Sequence, residues 1–195
     1  MQGIQQEKYG VSRYFILTVL LSFLGWIFET AYMRIACGRW IDRGFLTLPL
    51  CIIYGCSLVG AYLLLGLPRG GGILIPKRFT GATRTFFYLF YAFLLPSLLE
   101  YAVGLFFDRK LGLRLWDYSY QTLQIGGYVS LRNSLVWAVG IYFFMKYAFP
   151  VFYRWVGGMQ SAKADKIAYF LLAVILFDFS CNFVRVFYMY RAGMR

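Results

Sequence analysis

The chain of 195 residues is 61% hydrophobic and only 14% charged, with a mean hydropathy of +0.61, whereas a soluble domain runs at roughly 45–50% apolar and about 25% charged. A water-soluble fold of this size has no interior large enough for 20 Phe, 17 Tyr and 5 Trp, so the composition excludes one and predicts an all-α polytopic membrane protein. The net charge of +12 comes from cations that cluster between apolar runs, which sets nucleic acid aside and assigns the basic residues to membrane lipid headgroups.

In chain order, residues 1–13 carry charge, and the apolar run after them continues to span length without an Ala-x-Ala-like site. It reads as a retained first span over 14–33. Further runs of about 20 apolar residues, the length needed to cross hydrocarbon about 30 Å thick, fall at 45–67, 85–107, 125–147 and 167–188. Together they make residues 1–195 a single integral membrane domain of about five spans. The linker between the second and third holds Gly70, Gly71 and Gly72, yet no Gly-Lys-Ser/Thr follows. It is an interfacial linker and not a phosphate-binding loop. It also carries Arg69, Lys77, Arg78 and Arg84 without an acid, which places the amino terminus on the cytoplasmic side, in a bacterial inner membrane. The chain has no His, and its four cysteines show no C-x-x-C spacing. No metal site and no cofactor are expected, and the cysteines within spans read as small apolar packers.

Several charges interrupt the spans. Each carboxylate or guanidinium carried into lipid costs roughly 2.5–3.5 kcal/mol, so Glu29, Glu100, Arg132, Asp178 and Arg185 are expected to converge on one another or on water. Helical spacing supports this. Ser22, Gly25, Trp26 and Glu29 share one face, as do Ser97, Glu100 and Gly104, and again Asp178, Cys181, Asn182 and Arg185. Trp26, Glu29, Glu100, Arg132, Asp178, Asn182 and Arg185 are therefore candidates for a polar cavity that binds a small solute or a proton. The alternative for Glu29 is snorkelling or a structural ion pair near its span end. Trp26, Trp40, Trp116 and Trp137, taken singly, read as interfacial belt or packing residues before they read as ligand stackers.

The halves of the chain echo each other. Glu29, then Arg39-Trp40-Ile-Asp42-Arg43, then a new span is followed later by Glu100, then Arg114-Leu-Trp116-Asp117, then another span. This is either a duplicated helix hairpin, as in many transporters, or a chance match in a biased composition. The loop residues Asp42, Arg43, Trp116, Asp117 and Ser119 are candidates for the cavity mouth.

Gly25-Trp26-Ile-Phe-Glu29, Asp42-Arg43-Gly-Phe-Leu46, Pro49-Leu-Cys-Ile-Ile-Tyr54-Gly55, Trp116-Asp-Tyr-Ser119 and Ser134-Leu-Val-Trp137 resemble the ABC-transporter permease family called CmpB-type. The family also looks like certain small vertebrate transmembrane proteins. The likeness covers roughly residues 22–140. It departs at Asp42, where the family usually has Asn, and at Gln124, again in place of Asn. The resemblance implies a permease. Because the chain has no Walker motif, it also implies a separate ATPase, or another membrane subunit, as partner. Two other functions stay open. One is a membrane-embedded enzyme gripping lipid phosphate with Arg39, Arg43 and Arg114, with Asp42 or Asp117 as acid–base group. The other is a non-catalytic subunit of a larger complex. No nucleophile-and-base constellation is legible, so no catalytic residue is named.

Overall fold

The computed structural model describes residues 10–38, 40 and 45–191, the side chains of 36, 37 and 190 excepted. Helices α1 (Val11–Cys37), α2 (Ile52–Leu65), α3 (Gly81–Leu111), α4 (Leu131–Tyr147), α5 (Phe149–Gly157) and α6 (Ser161–Arg191) are joined by loops. Between α3 and α4 lies a small antiparallel hairpin, β1 (Gln124–Ile125) and β2 (Val129–Ser130). The protein is an all-α helical membrane bundle. α1, α3 and α6 are long and apolar enough to cross a bilayer, and α4 with α5 forms a fourth candidate bent by 48°. The break falls at Ala148, two residues before Pro150, which has no N–H to donate to the carbonyl of Lys146.

The long helices contain the expected spans at 14–33, 85–107 and 167–188. The other two expected spans begin differently. Over 45–67 the chain is helical only from Ile52 to Leu65, 14 residues, or about 21 Å at 1.5 Å per residue. Pro49 accounts for this, because it disfavours helical backbone at Leu48 and offers no donor of its own. Over 125–147 the helix starts only at Leu131, after a hairpin turn in which Gly126 and Gly127 take φ of 62° and 76°. Hydropathy reads apolar character and is blind to such backbone breaks.

α1 and α2 pack antiparallel, α3 and α4 likewise, and α6 runs alongside α1, with Ser12 near one end donating to Asp165 at 2.5 Å. Leu17 and Leu21 of α1, Tyr62 and Leu65 of α2, Tyr88 of α3 and Met145 of α4 fill the shared core. The outer face of α6 shows Phe170 and Phe177, 68% and 73% exposed, as a lipid-facing surface requires. The α1–α2 contact is tight. A Cβ on Gly55 would lie 2.1 Å from the Thr18 carbonyl oxygen, and one on Gly25 would lie 2.5 Å from Tyr54 Cβ. Small residues let the two backbones meet, the usual device of helix pairs in lipid. Gly55→Ala is expected to destabilise the protein by about 1–3 kcal/mol through overpacking. Thermal unfolding in detergent measures this, and the control Gly60→Ala, at a position with open space around it, is expected to leave the midpoint in place.

Candidate functional site

The site is built on the α1–α2 contact. Gly25 seats the Tyr54 ring against α1, and one helical turn further Glu29 lies on the same face. The Tyr54 hydroxyl donates to Glu29 Oε2 at 2.5 Å. Trp137 of α4 meets the Tyr54 ring edge-on at 5.2 Å and Phe28 at 6.0 Å. From α3, Glu100 lies close enough to Glu29 for the two charges to act on each other. Glu100 Oε2 is buried and has no hydrogen-bond partner among the described residues. Tyr118, from the loop after α3, reaches Tyr54 electrostatically. Helices α1, α2 and α4 thus meet around Tyr54 and Glu29, with Glu100 of α3, 71 positions further along the chain, within electrostatic range of Glu29. Trp26 stacks on Phe23 of its own helix at 6.3 Å.

Asp178 and Asn182 are engaged elsewhere. Asp178 Oδ2 accepts from the backbone N–H of Thr47 at 2.9 Å and of Leu48 at 3.3 Å. Asn182 Nδ2 donates to Thr47 Oγ1 at 3.0 Å and to Asp178 Oδ1 at 3.2 Å. These two α6 side chains hold the non-helical stretch before α2. Backbone donors that lack a helix need other acceptors at membrane depth, which is a sufficient reason for an acid on α6. Arg132 and Arg185 are exposed and form no ion pair among the described residues. The five charges do not share one hydrogen-bonded site: Glu29 accepts from Tyr54, Asp178 holds the stretch before α2, Glu100 Oε2 has no partner among the described residues, and Arg132 and Arg185 are exposed. A hollow of about 300 Å³ lined by Thr18, Ser22, Cys56 and Ile175, and one of about 340 Å³ between α3 and α4, both lie away from the two glutamates.

Of the expected mouth residues, Asp42 and Arg43 lie outside the described residues. The others form a bonded cap. Trp116 Nε1 donates to the Tyr128 carbonyl at 2.7 Å, and Asp117 Oδ1 accepts from the Ser119 N–H at 2.9 Å and the Ser119 hydroxyl at 2.5 Å. Arg114 bridges Asp117 at 3.2 Å and Asp108 at 3.3 Å and lies over the Tyr128 ring. Tyr128 donates to Asp108 Oδ2 at 2.7 Å, and its ring rests against Gly104 of α3. The Ser119 hydrogen bonds, and then the Arg114 charge, hold the Asp117 carboxyl below its usual 3.8. A depressed carboxylate favours the folded arrangement above that value and withdraws the contribution on acidification, so the cap is in its bonded form at neutral pH.

Tyr54 and Tyr128 were missed as site residues. Tyr54 sits in the Pro49–Gly55 motif, but its reach to Glu29 depends on the glycine opposite, a tertiary fact. Over residues 14–183 the sequence matches the CmpB-type ABC-transporter family, described as "Putative ABC-transporter type IV". The chain belongs to this family. Comparison with curated proteins and with solved structures returns no match. Family membership together with the long apolar helices makes this a transport-related membrane protein. The family match runs beyond the quoted motifs to take in α5 and most of α6, and so includes Asp178 and Asn182. Asp178→Ala is expected to destabilise the protein by about 1 kcal/mol, the ordinary net worth of a lost hydrogen bond. Asp178→Asn, which keeps an acceptor oxygen, is expected to lose less. Thermal unfolding in detergent ranks the two.

Proposed function

We propose that the chain is a membrane permease, in which Glu29 and Glu100 with Tyr54 bind a small polar or cationic solute, or a proton, within the bilayer. The observation that carries this reading is the Tyr54 hydroxyl bonded to Glu29, with a second acid, Glu100 of α3, within electrostatic range and one of its oxygens buried without a partner among the described residues. Two carboxylates at membrane depth repel when both are charged, and a cation or proton between them removes the repulsion. Tyr54 can donate to the charged acid and yield its place to an incoming group. The non-helical stretch before α2 supports the same reading, since interrupted helices commonly flank solute sites in transporters. Trp26 would flank the acids along α1, and Trp116, Asp117 and Ser119 would cap the site from the loop side. The membrane we propose is the bacterial inner membrane. With no Walker motif in the chain, any ATP hydrolysis would come from a separate subunit. Of the candidates for a lipid-headgroup enzyme, Arg114 and Asp117 are paired with each other, and Arg39, Asp42 and Arg43 lie outside the described residues.

The test is proton flux into proteoliposomes under an imposed pH gradient, reported by an entrapped dye. Glu29→Gln and Glu100→Gln are each expected to lower the rate roughly tenfold or more, about 1.4 kcal/mol at the site, with Tyr54→Phe between them and wild type. Full flux in both glutamine variants would remove the pair from the mechanism.

A further inference from the structure

The outer surface of the α3–α4 pair holds a second feature, unconnected to the glutamates. A groove of about 340 Å³ runs between the helices, with Phe86, Phe90 and Phe93 on one side and Leu131, Leu135 and Val139 on the other, and every residue lining it is apolar. Leu135 and Val139 are 52% and 49% exposed, so the groove opens outward. The α4 wall runs from Leu131 to Val139, eight helical steps or roughly 12 Å at 1.5 Å per residue, and the α3 wall carries the groove on to Phe86.

Arg132 follows Leu131, the first lining residue on α4. Arg132 stands three residues before Leu135 and seven before Val139, which places it on the same face of α4 at the end nearest the membrane surface. It is exposed, and it has no ion pair among the described residues. The first turn of α4 contains no acid, and a cation at a helix amino terminus opposes the helix dipole. An anion outside the protein would complement this arginine.

We propose that this groove binds one acyl chain of an anionic phospholipid, with the lipid phosphate held by Arg132. The chemistry is divided along the groove as it is along the lipid: aromatic and branched aliphatic side chains at hydrocarbon depth, then a guanidinium at headgroup level, where phosphate accepts two parallel N–H bonds. A helix of a second copy fits less well, because it would have to bring an acid to the same depth.

Native mass spectrometry of the purified full chain, with phosphatidylglycerol and phosphatidylcholine of identical acyl chains in equal amounts, tests this. Wild type is expected to retain phosphatidylglycerol roughly fivefold over phosphatidylcholine, the ratio equivalent to the ~1 kcal/mol of one cation near an anionic surface. Arg132→Gln is expected to bring the two lipids to parity, and Arg132→Lys to keep the preference. Leu135→Trp, which fills an open position, is expected to lower retention of both. Equal retention by wild type, a preference that survives in Arg132→Gln, or a lipid-free dimer that Leu135→Trp dissolves would each overturn the assignment.

Discussion

The close approach of α1 and α2 is the contact on which the rest of the arrangement depends. In hydrocarbon, helices gain little from burying apolar surface, and they associate through packing and hydrogen bonds. Gly25 and Gly55 remove the two side chains that would keep the backbones apart. Only at that separation can the Tyr54 hydroxyl reach Glu29. With Glu29 anchored, the edge of Trp137 packs on Tyr54 and ties in α4, while α3 brings Glu100 into the same electrostatic neighbourhood. A steric property of two glycines thereby becomes a polar site.

The second constraint is the demand that backbone groups be satisfied away from water. A helix satisfies its own, but the stretch from 45 to 51 cannot, and α6 answers for it. Asp178 accepts two amide protons there, and Cys51 N–H finds the Ser22 carbonyl on α1 at 3.1 Å. The last helix, whose outer face is exposed, is thus tied to the bundle at this level by Asp178 and Asn182, and near its start by Asp165, which accepts from Ser12. At the same end of the bundle, the loop after α3 solves the same problem with its own residues, through Arg114, Asp117, Ser119 and Tyr128.

The helical class was legible in the sequence because 20-residue apolar runs have few other uses, and α1, α3 and α6 lie where hydropathy puts them. The start of α2 was not, because Pro49 and the Asp178 clamp shape a backbone that remains apolar in composition. Small residues at helical spacing put Glu29 and Glu100 each on a face open to close approach, but nothing in that spacing gave Glu29 its partner, the Tyr54 hydroxyl. The grouping of Asp178, Arg132 and Arg185 with them was not supported, since spacing along one helix fixes a face but not what that face meets. Trp116, Asp117 and Ser119 were visible as a polar cluster, yet their hydrogen bonds run mainly to one another and to Tyr128.

The central claim is that Glu29 and Glu100 share one electrostatic environment. Infrared titration of the Glu100 carboxyl, in wild type and in Glu29→Gln, with Glu100→Gln to assign its band, tests it most directly. The account predicts that removing the charge at position 29 moves the midpoint of the Glu100 band. An identical midpoint in both proteins would contradict it.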